Sequence, residues 1–151
     1  MPEIFPLSEK YIEDVSLLEK ELFSDSWSED AIKGFLSSPA SRGYVLLKNG
    51  ECVSYGLFTC LLGEGEVLRI GTKKSAARQG FAHSLLQFYF DDCKKEGLEK
   101  IFLEVRKENL AARRLYEKTG FSLIYTRKGY YKDPTDDACI YEKNQNGTKT
   151  L

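Results

Sequence analysis

Glu66-Val67-Leu68-Arg69-Ile70, then Arg78-Gln79-Gly80-Phe81-Ala82, then Ile101-Phe102-Leu103-Glu104-Val105: the fold turns on how these runs, within the stretch that ends at Gly120, are read. The first and third are short, apolar and β-branched, as strands are. The second is a glycine turn. It opens into Phe81, Ala82, Leu85, Leu86, Tyr89 and Cys93 at helical spacing, with Gly97 placed as the stop. A helix between two strands is the signature of a βαβ unit, so these two strands should be parallel. A second helix follows, capped by Asn109, carrying Tyr116 and ended by Gly120.

Working outward, Arg42–Leu47 and Cys52–Leu62 read as strands joined by the hairpin turn Asn49-Gly50. Gly63-Glu64-Gly65 should turn the chain into the strand 66–72, completing an antiparallel meander. Upstream, Ile4–Leu7 is a short strand, Ser8 caps a helix that runs to about Phe23, and Ser28 starts a second helix that ends at Pro39. Downstream, Phe121–Thr126 and Ala138–Glu142 are strands, with an aromatic loop, Arg127–Pro134, between them. Residues 1–143 read as one domain. The polar tail Asn144–Leu151 reads as disordered, and its sequon-like Asn146-Gly147-Thr148 as chance.

At 151 residues the chain can bury a single core. Its net charge of −1 does not suggest a nucleic-acid binder. The start of the chain has no basic and apolar signal pattern, and no apolar run is long enough to span a bilayer. The expectation is therefore a cytoplasmic protein. Cys52, Cys60, Cys93 and Cys139 are far apart and accompany a single histidine, so no metal site is expected and buried, reduced thiols are.

Each chemical feature has a bland reading beside a sharper one. The turn at Gly80 is either a plain strand-to-helix connection or an anion cradle, because a helix N-terminus exposes free N–H groups. Glu104 lies in a strand with large apolar residues on both faces, which predicts a central, doubly covered position. A carboxylate buried there would have a raised pKa and could act as a base, or would pair with Arg69 or Arg106. Tyr116 shares a helix face with Asn109 and is either a proton donor or a core aromatic. Trp27 is either a hydrophobic staple or a cleft wall.

Leu68-Arg69-Ile70-Gly71-Thr72 and Arg78-Gln79-Gly80-Phe81-Ala82 resemble the acetyl-CoA motif of the GNAT N-acetyltransferases. Leu103-Glu104-Val105-Arg106, Asn109, the run Ala112 to Phe121, and Arg127-Lys128-Gly129-Tyr130-Tyr131 are similar to the ribosomal-protein-alanine N-acetyltransferases and other protein N-terminal acetyltransferases. The resemblance implies an α/β (α+β) GNAT fold, with a mixed sheet of about six to seven strands and about four helices. It implies acetyl-CoA as the acetyl donor and a protein N-terminus, that of a ribosomal protein, as acceptor. Glu104 would be the general base and Tyr116 the general acid. The backbone of Ile70, Gly71 and Thr72 would hold the pantetheine arm and acetyl carbonyl, and Ala77, Arg78, Gln79, Gly80, Phe81 and Ala82 the pyrophosphate. Asn109 and Tyr116 would touch the cofactor, and Trp27, Tyr130 and Tyr131 would border the acceptor. Ala77 stands where the family usually has Gln or Arg, Ala82 where it often has Gly, and Gly71-Thr72 where it more often has Ala-Val. A small-molecule amine acceptor, or a non-catalytic acetyl-CoA-binding role, are the alternative readings.

Overall fold

The computed structural model describes residues 2–145. The strands are β1 (Glu3–Pro6), β2 (Ser41–Lys48), β3 (Glu51–Leu61), β4 (Glu64–Thr72), β5 (Lys100–Arg106), β6 (Ser122–Tyr131) and β7 (Asp136–Asn144). The α-helices are α1 (Ile12–Leu22), α2 (Glu29–Leu36), α3 (Phe81–Lys94) and α4 (Leu110–Lys118). The seven strands form one mixed sheet in the order β1-β2-β3-β4-β5-β7-β6.

Alternation along the strands builds a core on each face. On one face Phe58, Val67, Ile101, Leu103, Cys139 and Tyr141 pack against Leu85, Leu86 and Tyr89 of α3 and Tyr116 of α4. Phe58 stacks on Tyr89 with ring centroids 4.2 Å apart. On the other face Val45, Tyr55 and Leu57 pack against Ile12, Val15 and Leu18 of α1 and Ile32 of α2. All four cysteines are buried and free. Among the described residues, no His/Cys/Asp/Glu cluster could hold a metal, and no helix is long and apolar enough to cross a membrane.

The meander follows its turn chemistry. Asn49 and Gly50 both have positive φ (53° and 80°), the condition for a two-residue hairpin whose twist matches the strands. The next turn falls at Leu62-Gly63 (φ 52° and 83°), one residue earlier than the sequence suggests. Gly65 therefore belongs to β4. A side chain there would collide with the Tyr89 hydroxyl, which donates to the Thr59 carbonyl at 2.7 Å.

Two further expectations need correction. The aromatic segment after Thr126 is not a loop: β6 continues to Tyr131, with a register shift against β7 between Arg127 and Tyr131. The Gly129 amide there (φ 60°) donates to Asp137 Oδ1. At the other end of the pair, β7 runs through Asn144, and the Gln145 amide donates to the Glu99 carbonyl at 2.7 Å. The rest of the expected disordered tail, sequon included, lies outside the described residues.

One irregularity opens the sheet. β4 and β5 are parallel, as the βαβ pattern predicts, but pair only over Glu64, Gly65 and Glu66 against Lys100, Ile101 and Phe102. Immediately beyond, Leu57 and Phe58 of β3 face Arg69 and Val67, which leaves Leu68 as an extra residue in β4. A bulge bends the strand that carries it. Beyond it, β4 and β5 no longer pair with each other, although each keeps its other neighbour, and the sheet splits into a wedge.

Candidate active site

The wedge holds a cavity of about 790 Å³. Residues 68–70 of β4 form one side of it. Glu104, Val105 and Arg106 of β5, with Asn109, Ala112 and Tyr116, form the other. Two outer walls come from residues 22–25, after α1, and 130–133, at the turn from β6 to β7. The expected residues Ile70, Glu104, Asn109, Tyr116, Tyr130 and Tyr131 thus share one cavity. Gly71, Thr72 and residues 77–82 lie outside its lining, and so does Trp27. The indole of Trp27 packs edge-on against Phe35, with centroids 6.0 Å apart, and joins the core beneath α1 and α2.

Glu104 is not buried, contrary to the doubly covered strand expected. Ile101, Leu103 and Val105 face the α3–α4 core, whereas Glu104 is exposed on the opposite face. Helices α1 and α2 make their main contacts with β2, β3 and β4, and at Glu104 that face of β5 is left open to solvent. The Glu104 carboxylate has no hydrogen-bond partner among the described residues. Its charge reaches the far wall: the Tyr131 hydroxyl is raised above the usual phenol range by burial and then by Glu104.

Tyr116 has the opposite environment. It is only 8% exposed, packed edge-on to Phe121, and its hydroxyl has no hydrogen-bond partner among the described residues. Burial alone pushes this phenol up to about 12. A buried donor without a partner is costly, and here it borders a cavity. Asn109 holds Tyr116's helix in place, its Oδ1 accepting from the Ala112 amide at 3.2 Å.

Strand pairing supplies further donors. The Lys73 amide donates to the Val53 carbonyl, and Gly71 faces Tyr55. Hydrogen-bonded and non-bonded pairs alternate in antiparallel ladders, so Gly71 bonds β3 while Ile70 and Thr72 turn their N–H groups into the wedge. Gly71 also has a packing reason. A Cβ there would lie 2.6 Å from the Tyr55 hydroxyl oxygen and 2.7 Å from its ring.

The turn before α3 leaves a run of backbone amides free. Arg78 and Gly80 take positive φ (65° and 82°), and no backbone N–H from Arg78 to His83 has a partner among the described residues. Ala77 is exposed, and its own amide bonds the Lys74 carbonyl. The Gln79 side chain accepts from Lys48 Nζ at 2.8 Å.

Sequence reasoning missed the anchor of the outer wall. Glu19 is fully buried; it accepts from the Tyr55 hydroxyl, from Arg69 Nε at 3.1 Å and from the Trp27 amide at 2.9 Å. A signal existed: Glu19 falls in the apolar stripe Val15, Leu18, Leu22 of α1, where a carboxylate needs partners. Removing one member of a buried ion pair leaves the other uncompensated. Glu19→Ala is therefore expected to cost about 3–5 kcal/mol in denaturant unfolding; a loss near zero would show Arg69 to be fully solvated once unpaired.

Comparisons with known proteins agree with this geometry. The model of the "Acetyltransferase (GNAT) family" matches residues 9–121. The [ribosomal protein bS18]-alanine N-acetyltransferase of Escherichia coli K12 is 33% identical over 127 residues, covering 82% of this chain and 84% of that one. A putative enzyme of the same name from Bacillus subtilis is 28% identical over 85% of the chain and 86% of its own. The crystal structure of the ribosomal-protein-S18-alanine N-acetyltransferase from Escherichia coli superposes with a TM-score of 0.90 at 26% identity, over 99% of this chain and 97% of that one. The split sheet, the amide-lined turn and these matches lead to one assignment: the chain belongs to the GNAT family and is an acetyl-CoA-dependent N-acetyltransferase.

Proposed function

We propose that this enzyme acetylates the α-amino group of a protein N-terminus, with an alanine-initiated ribosomal protein as its acceptor. The observation that carries the reading is the placement of Glu104 and Tyr116 on opposite faces of β5 in one cavity. The identity to an enzyme named for a ribosomal-protein alanine supports the choice of acceptor.

Acyl transfer to an amine needs a neutral nucleophile, a held carbonyl and a protonated leaving thiol. An α-amino group has a pKa near 8, against about 10.4 for lysine, so near neutral pH a modest base is enough for the former. Glu104, open to water on the acceptor side, takes the ammonium proton directly or through a water molecule. The amine nitrogen then bonds the thioester carbon, and the carbonyl oxygen is held by the N–H group of Ile70, with that of Thr72 one step further along the pantetheine arm. As the carbon–sulfur bond breaks, Tyr116 gives its proton to the sulfur, and the surplus proton on the new amide nitrogen returns to the tyrosinate, directly or through water. The amides from Arg78 to His83 bind the pyrophosphate, with Asn109 near the pantetheine arm. Tyr130 and Tyr131 border the acceptor backbone, and the segment that leads into Trp27 faces them across the cavity.

The test is a peptide series. Peptides with a free N-terminal Ala should be acetylated at the α-amino group. The same peptides blocked at the N-terminus but carrying an internal Lys should not. Faster acetylation of a polyamine or amino sugar than of any peptide would overturn the proposed acceptor class.

A further inference from the structure

Two arginines leave the wedge in opposite directions, one from each of its strands. Arg69 follows the bulge in β4. Its guanidinium lies 3.9 Å from the centre of the Phe23 ring and donates to the Asp25 carbonyl at 2.9 Å and to Asp25 Oδ1 at 3.2 Å. Arg106 ends β5. Its guanidinium lies 4.5 Å from the centre of the Tyr131 ring and donates to the Lys132 carbonyl at 2.9 Å and the Pro134 carbonyl at 2.8 Å. Each therefore stacks on an aromatic of one outer wall and bonds the backbone just beyond it. Each wall leaves regular structure at or just past its aromatic: residues 23–28 link α1 to α2, and residues 132–135 link β6 to β7.

Arginine suits this task where lysine does not. Its planar fork can stack on a ring and donate to separate oxygens at the same time. Rim loops are ordinarily the least ordered parts of a fold. Here each rim is fastened to a strand that carries reacting groups: Arg69 adjoins Ile70, and Arg106 lies two residues past Glu104, on the same face of β5.

We infer that Arg69 and Arg106 are a matched pair of positioning residues that fix the two walls of the acceptor site to the strands holding the acetyl group and the base. This rests on the proposed reading that the acceptor enters between those walls. Neither arginine contacts the reacting atoms. Each sets how closely the acceptor is held in line with Ile70 and Glu104.

Arg106→Met removes a fork that bonds only carbonyls, so it strands no buried carboxylate. Arg69→Lys keeps a cation beside buried Glu19 but loses the stack on Phe23 and the fork on Asp25. Each variant should lower kcat/KM for an N-terminal Ala peptide about 10- to 100-fold, chiefly through acceptor KM, with acetyl-CoA KM unchanged. Amide hydrogen exchange should quicken at residues 22–27 in Arg69→Lys alone and at residues 130–135 in Arg106→Met alone. Unchanged acceptor KM in both variants overturns the pairing, as does exchange that quickens across the whole sheet. The exchange measurement needs no acceptor. If the wild-type enzyme modifies no peptide, the acceptor assignment fails, while segment-specific exchange still decides whether the arginines hold the walls.

Discussion

Glu104→Gln is expected to lower the rate of N-terminal acetylation by about 10²- to 10⁴-fold and to leave the fold unchanged. The substitution keeps the shape and a hydrogen-bond acceptor and removes the capacity to take a proton. Stability should move by no more than about 0.5 kcal/mol, because Glu104 is exposed and bonds nothing among the described residues. The defect should also depend on pH in one direction. Below the α-amino pKa of about 8 the acceptor is mostly ammonium and needs the base; above it, the amine is already neutral. The gap between variant and wild type should therefore narrow as pH rises from 7 to 9. A pH series of kcat/KM on an Ala-initiated peptide measures this. A variant that keeps full activity at pH 7 would remove Glu104 from the mechanism, and a pH-independent gap would make it a binding residue.

The parts of this molecule that the sequence disclosed are those written in local pattern. Asn49-Gly50 names its hairpin because both residues tolerate positive φ. The helical spacing from Phe81 to Cys93 between two apolar runs declares a parallel crossover. The wedge was not legible, since nothing in Val67-Leu68-Arg69 says that Leu68 has no partner on β3; a bulge is a property of two strands in register. The same limit explains the wrong expectation for Glu104. An apolar residue on each face of Ile101–Val105 suggests burial on both, but pattern cannot show that α1 and α2 leave Glu104 open to solvent. Phe102, on which the two-sided reading depends, is half-buried. Glu19 is the converse case: the polar residue in an apolar stripe was visible, but its partners, Tyr55 and Arg69, lie 36 and 50 residues away. Gly71 joins this set, a departure from the family pattern whose cause is the Tyr55 ring lying across it.

Tyr116→Phe should lower turnover about 10²-fold while leaving the protein as stable as before or more so. That pairing of effects follows from the environment of the hydroxyl. It is buried, borders the cavity and has no hydrogen-bond partner among the described residues, so the fold gains nothing from it and bears the cost of its desolvation. The phenylalanine ring keeps the edge-on contact with Phe121. Burial raises this phenol to about 12, above the ordinary value near 10. The sign follows: the folded state holds the proton more tightly than the unfolded one. The stability linked to that proton is complete below pH 10 and is lost as pH rises towards 12. Tyr116 therefore keeps its proton from neutral pH to about 10, where the amine is already neutral, and the alkaline limb of the rate profile up to pH 10 belongs to other groups. In the phenylalanine variant, unfolding between pH 10 and 12 should lose one proton's worth of its pH dependence, with the remainder coming from other groups raised by burial, among them the phenols of Tyr44, Tyr55, Tyr89 and Tyr131 and the thiols of Cys52 and Cys93. The role as acid has its own diagnostic. An acetyl donor built on an aryl thiol, which leaves readily without a proton, should bring the variant close to the wild-type rate. A deficit that persists with that donor would make Tyr116 a positioning group for the thioester and send the search for the acid elsewhere in the wedge.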